Sequence, residues 1–230
     1  MTDRGARRLP GAANPALDVV TFPSPAELRR RAPRLALGLV GLGFGIAMMI
    51  RARLGVSPWD VLHLGIAHHL GVSFGTVVVG VGLVVLLGWI PLHQRVGIGT
   101  VVNTLVVGWI ADGALALLPE PRELVWRGLL LVGGVVVVGV GIGLYIGAGL
   151  GPGPRDGLMT GLAARGHPLW LVRMGLELSA LAVGWVLGGD VGVGTLVFAL
   201  GIGPLGHFFL ARFHLAVEPT RTEPDVMTGE

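Results

Sequence analysis

The 230-residue sequence contains no cysteine and no lysine, and only 13% of its residues are charged. Without cysteine there is no disulfide framework and no thiolate metal site, and the redox compartment leaves no trace. A soluble domain carries about a quarter charged residues, so this chain is poor in the side chains that keep a surface wet. Enzyme signatures are missing as well. There is no H-E-x-x-H, no Walker loop despite abundant glycine, and no G-x-S-x-G turn. The expectation is therefore of no enzyme, no metal and no cofactor.

What is present is apolar. Hydrophobic residues make up 52% of the chain and mean hydropathy is +0.75. Glycine reaches 40 residues, against a usual share of about 7%, and fits transmembrane helices that pack closely. The 17 basic residues are all arginine, and seven lie in the first 34 positions, beside the first apolar run. That placement is the positive-inside pattern of a membrane protein, and it excludes a nucleic-acid patch as the source of the high pI.

Six runs have spanning length: Leu35–Ile50, Phe74–Leu92, Ile98–Leu118, Val125–Ala148, Leu169–Leu187 and Val191–Ala211. Residues 1–34 and 212–230 read as polar tails, disordered and cytoplasmic. The first run has no cleavage site behind it and is read as a retained helix. With the amino terminus inside, Arg95, Arg155, Arg165, Arg212 and Arg221 fall on the cytoplasmic side, and Glu120, Glu123 and Asp190 outside. Arg51, Arg53 and Arg122 run against the rule.

The chain repeats itself. "LGVSPWD" (Leu54–Asp60) returns 96 residues later as "LGPGPRD" (Leu150–Asp156). At that offset Gly45, Ile46, Ile50, Ala52, Leu62, Gly65 and Ala67 also match Gly141, Ile142, Ile146, Ala148, Leu158, Gly161 and Ala163. Gly88-Trp89 recurs as Gly184-Trp185, and "GIGT" (Gly97–Thr100) as "GVGT" (Gly192–Thr195) after a one-residue shift. Each unit, 35–118 and 119–211, holds three spans. An odd number makes the second unit enter the membrane from the opposite side, an inverted repeat of the kind that transporters use.

On "LGVSPWDVLHLG", "GIGTVVN" and "VGWIAD" the sequence resembles the YczE/YyaS/YitT-type bacterial integral membrane proteins, closest to the YczE branch, over residues 35–211. The resemblance implies a multi-spanning inner-membrane protein. It brings no established substrate and no catalytic residues.

Each Gly-Pro break opens a helix too short to span. Ser57 at the N-cap, Pro58 at N1 and Asp60 at N3 form a capping box, and Gly153-Pro154-Arg155-Asp156 offers the same geometry. A helix to Leu70 would rise about 20 Å, against a hydrocarbon core of about 30 Å. Two readings are open. Asp60 and Asp156 cap helices lying at the interface, or these half-helices dip into the membrane with their positive ends aimed at an anionic group or coupled ion. Trp59, matched by Arg155, reads as an interfacial anchor. Thr100 and Thr195, opening the third span of each unit, either bond backbone carbonyls or line a solvated route.

Ionisable groups inside spans have a functional default. Asp112 and His207 hold matched positions in the third and sixth spans; either each sits near a helix end and contacts headgroups, or the two share a proton across a pseudo-two-fold axis. Arg173 and Glu177, four apart, read as a structural ion pair. His63, His68 and His69 lack counterparts; a wet outward helix face is the plainer account, metal binding with Asp60 the other. Small-residue stripes (Gly41 and Gly45; Gly139, Gly143 and Gly147) predict close approach of the first and fourth spans.

The expectation is an all-α membrane protein with six spans in two inverted three-helix units, each with a half-helix. Its activity is secondary transport or permeation of a small solute or ion, with proton linkage open. The alternative is a non-transporting scaffold or regulator of another membrane complex. Expected partners are the bilayer and that solute, without nucleic acid; homo-oligomerisation is open.

Overall fold

Ser24 accepts a hydrogen bond from the Glu27 N–H while the Glu27 carboxylate takes the Ser24 N–H at 3.0 Å. This capping box, with Pro25 at N1, starts the first helix, α1, Pro25–Ala52. The helix thus begins ten residues before the apolar run, and residues 25–34, expected in a polar tail, are helical. The structure, a computed structural model, describes residues 24–213; the rest of both expected tails lies outside the described residues.

Seven more helices follow: α2 Pro58–Leu70, α3 Phe74–Leu92, α4 Ile98–Leu117, α5 Leu124–Gly147, α6 Pro154–Ala163, α7 Leu169–Val186 and α8 Val193–Phe213. All but α2 and α6 are long and apolar enough to cross a membrane. No strand occurs among the described residues. The expected spans agree with these helices to within two residues, apart from the start of α1.

Glycine sets the packing. α1 crosses α5 antiparallel, with Gly38 against Tyr145 and Gly45 against Val138 and Gly134. Methyl groups at Gly38 or Gly45 would fall 2.6 to 2.9 Å from atoms of α5, so the backbones meet without side chains between them. The stripe reading holds for Gly41 and Gly45 but needs correction on α5. Gly134 and Gly141 face α1, whereas Gly139 and Gly143 face Leu205 and Phe209 of α8. Successive faces of one helix serve two neighbours, which a single spacing rule does not separate.

α4 runs parallel to α1, as Gly43 meets Val107 and Ile110 and Arg51 donates to the Leu115 carbonyl. α8 runs parallel to α5 through the pairs Gly139–Leu205 and Gly143–Phe209. α3 lies antiparallel along α4, Gly75 on Gly108 and Gly82 on Thr104. α2 packs on α7 and α6 on α3, so each short helix leans on the other half of the chain.

The chain leaves α1 and α5 by the same turn. Arg53 and Gly149 are left-handed (φ 47° and 65°), and two residues on Gly55 and Gly151 take φ of 103° and 124°, values that favour glycine. The Leu54 carbonyl then accepts from Gly194 N–H at 2.6 Å, and the Leu150 carbonyl from Gly99 N–H at 2.8 Å. Each break is therefore tied to the first turn of α8 or α4, whose leading N–H groups have no partner in their own helix.

Candidate functional site

Ser57 caps α2: its hydroxyl accepts from the Asp60 N–H at 3.2 Å and donates to Asp60 Oδ2 at 2.5 Å. The expected capping box is half made, because the Asp60 carboxylate bonds the Ser57 hydroxyl and not its N–H. The other carboxylate oxygen, Oδ1, lies 3.4 Å from His63 Nδ1, one turn on. Asp60 is 3% exposed, and His63 is buried with it between Trp59 and Phe74. This corrects the wet-face reading of His63. Packing of α2 on α7 and α3 covers a face that sequence alone leaves open.

α6 starts differently. Gly153 offers no side-chain cap, and Asp156 is exposed, so the two matched carboxylates do not share one setting, as either of the two readings has them do. With no hydroxyl to hold it inward, the carboxylate folds back over Gly153, where a methyl carbon would meet Asp156 Oδ2 at 3.0 Å. The Pro154 carbonyl accepts from Trp89 Nε1 at 2.9 Å, which pins α6 to α3.

The two short helices bring their N-termini together. The Arg155 guanidinium carbon stands 5.6 Å from the centre of the Trp59 ring, a cation–π contact. Between them and the middle turns of α3 and α4 is a cavity of 40 Å3. Its wall carries Trp59, Asp60, His63, Asn103, Thr104 and Arg155, with Val78, Val81 and Val85 opposite. Trp59 is thus interior, 7% exposed, and not an interfacial anchor. Asn103 joins the wall too; its signal in the sequence is the amide that ends "GIGTVVN", one helical turn beyond Thr100.

The remaining expected site residues serve the frame. Thr100, fully buried, donates to the Pro152 carbonyl at 2.7 Å, and Thr195 Oγ1 accepts from Gly192 N–H at 3.3 Å. Thr100 bonds a backbone carbonyl, the first of the two readings, whereas Thr195 bonds a backbone N–H instead. Asp112 accepts the Gly75 N–H at 2.8 Å and so caps α3. His207 is exposed on α8, and the structure does not bring it to Asp112. The two parallel pairs, α1 with α4 and α5 with α8, run in opposite senses. Matched positions late in α4 and α8 therefore fall at opposite ends of the bundle. Arg173 and Glu177 form an ion pair at 2.9 Å. At the end of α1, Arg51 and Arg53 pair with Glu120, and Arg127 donates to the Ala52 and Arg53 carbonyls. Among the described residues no group of three His, Asp or Glu side chains could hold a metal.

Comparison with known proteins agrees with a membrane protein of this kind. The family described as a family of unknown function, DUF6198, matches residues 29–211. An uncharacterized protein of Haemophilus influenzae is 38% identical over 176 residues, covering 76% of this chain and 80% of its own. An uncharacterized membrane protein of Bacillus subtilis, YczE, is 34% identical over 179 residues, covering 76% and 83%. No solved structure matches. The chain therefore belongs to the DUF6198 family of YczE-like membrane proteins.

Proposed function

We propose that the protein is a secondary transporter or permease for a small solute or ion, in which the meeting point of α2 and α6 is the solute site. One observation carries the reading: two broken elements direct their N-termini at one polar cavity, halfway along α3 and α4. Irregular backbone is tolerated at membrane depth only where protein or a water-filled cavity surrounds it. Discontinuous helices meeting at mid-depth are a recurrent transporter arrangement. The antiparallel α1–α5 crossing and the matched Leu54 and Leu150 carbonyl bonds support two inverted units, 35–118 and 119–211.

Asp60 and His63 form the pair suited to carry a coupled proton, since a histidine changes charge near physiological pH. The arginine distribution supports cytoplasmic termini, and the bacterial relatives support an inner (cell) membrane setting.

Purified protein in liposomes filled with a pH-sensitive dye tests this. Gradients of small anions, cations and neutral solutes are imposed in turn, and at least one should drive a proton flux that Asp60→Asn abolishes. No solute-driven flux across the panel, from protein shown to be folded, would favour the second reading, a scaffold or regulator. That reading draws on α7, whose Arg173–Glu177 pair is exposed within a span. Charge facing lipid is unfavourable, so a protein partner or second copy would cover it.

A further inference from the structure

Donors outnumber free acceptors on the cavity wall. Trp59 Nε1 is buried and has no hydrogen-bond partner, and an indole N–H can only donate. Arg155 makes no hydrogen bond or salt bridge among the described residues; it stands against the Trp59 ring, with the carboxylates of Asp60 and Asp156 within its field but not bonded to it. A guanidinium likewise only donates. The start of α6 is already answered by its own Asp156, whose carboxylate lies over Gly153 in the first turn, and so it adds nothing for a ligand. The carboxylate on the wall is already engaged, Asp60 Oδ2 with Ser57 and Oδ1 beside His63. Among the described residues, Asp60 and His63 of α2 and Arg155 of α6 are the only titratable groups lining the cavity, and α1, α3 and α4 add none.

We infer that the cavity binds a small anion, held by the Arg155 guanidinium and the Trp59 indole N–H. The inference rests on the reading of this cavity as the solute site and names its ligand class. A cation would meet Arg155 and find Asp60 already bonded. A neutral polyol would give the guanidinium donors no charged acceptor, the stronger partner for them. Size sets the other bound. The volume of 40 Å3 compares with the roughly 10–15 Å3 that one water needs by the same measure, so the cavity takes a few heavy atoms at most, as a halide, nitrate or formate has. Asn103 presents an amide that can donate from α4.

Thermal unfolding of the full chain in detergent, at constant ionic strength, tests the site. The probes are sodium fluoride, chloride, nitrate and formate. Sodium gluconate, whose anion is too large, balances the salt; potassium gluconate and glycerol are the cation and neutral controls. At least one small anion should raise Tm with a saturable midpoint, and the controls should not. Arg155→Gln should weaken that midpoint about tenfold or more, the scale of one charged hydrogen bond. Trp59→Phe keeps the ring and removes only the N–H, so it serves if Arg155→Gln fails to fold; its midpoint should also rise. An unsaturable response, or a midpoint unchanged in the folded variants, overturns the inference. Flux is read separately. Saturable anion binding without flux of that anion would keep the site and remove the transport reading. Flux of a cation or neutral solute without anion binding would keep transport and remove the anion.

Discussion

Asp60 and Asp156 stand at the same position in the two halves of the chain, yet one is sealed inside and the other lies open. The difference runs through each half. Ser57 caps the first short helix, whereas glycine stands at the second cap. Histidine occupies position 63, where its counterpart is Met159. Trp89 is 1% exposed and bonded to Pro154, while its counterpart Trp185 is 68% exposed. α3 packs along α4, but α7 and α8 scarcely touch. The two halves share their glycine turns and carbonyl ties but divide their polar groups unequally. The first half holds a satisfied acid–imidazole pair, and the second presents an unsatisfied cation to it. Such a division sets an acid–imidazole pair on one wall of the cavity and a guanidinium with no bonded acceptor on the other.

The comparison can be broken by mutation. Asp60→Ala should be the most damaging of the matched pair. It strips partners from Ser57 and His63 in a buried setting, with a stability loss of about 2–4 kcal/mol by unfolding in detergent. Asp156→Ala removes an exposed group and should stay within about 1 kcal/mol. Equal losses would mean that the halves are energetically equivalent and the difference in burial idle.

Packing separates the halves next. Gly143→Leu would drive a side chain into α8, since even its first carbon falls 2.7 Å from the Phe209 carbonyl carbon. A loss of about 1–3 kcal/mol or outright failure to express is expected. At Gly41 the nearest neighbour of such a carbon is Gly141 Cα at 3.4 Å, so Gly41→Ala should be tolerated within about 0.5 kcal/mol. Trp89→Phe leaves the Pro154 carbonyl without its donor and should cost about 1–2 kcal/mol. Trp185→Phe should be silent by the same assay. The smallest effect sharpens the contrast: Gly153→Ser supplies the cap that α6 lacks, and a gain of a few tenths of a kcal/mol is expected.

Much of the frame was legible in the sequence because it depends on local rules. Hydropathy marked the six long helices, and Ser-Pro and Gly-Pro marked the starts of α2 and α6. Even the overshoot of α1 had a signal, the Ser24-Pro25-x-Glu27 box, hidden in a segment read only for its charge. The site was less legible because it is made between halves. His63 and Trp59 are interior only because α2 lies on α7 and reaches α6, and no spacing within residues 57–70 encodes that. Asp112 and His207 show a second limit. Repeat matching pairs positions by sequence, but inversion brings matched residues together only near mid-depth, and late-helix pairs go to opposite ends.

The central claim is that α2 and α6 meet at a solute site open in turn to each side of the membrane. A chain with no native cysteine lets one thiol report on it. The variant Asn103→Cys, on the cavity wall, should react in sealed vesicles with a small, membrane-impermeant thiosulfonate added to either face. Reaction from one face only, or from neither, in folded protein would contradict the account.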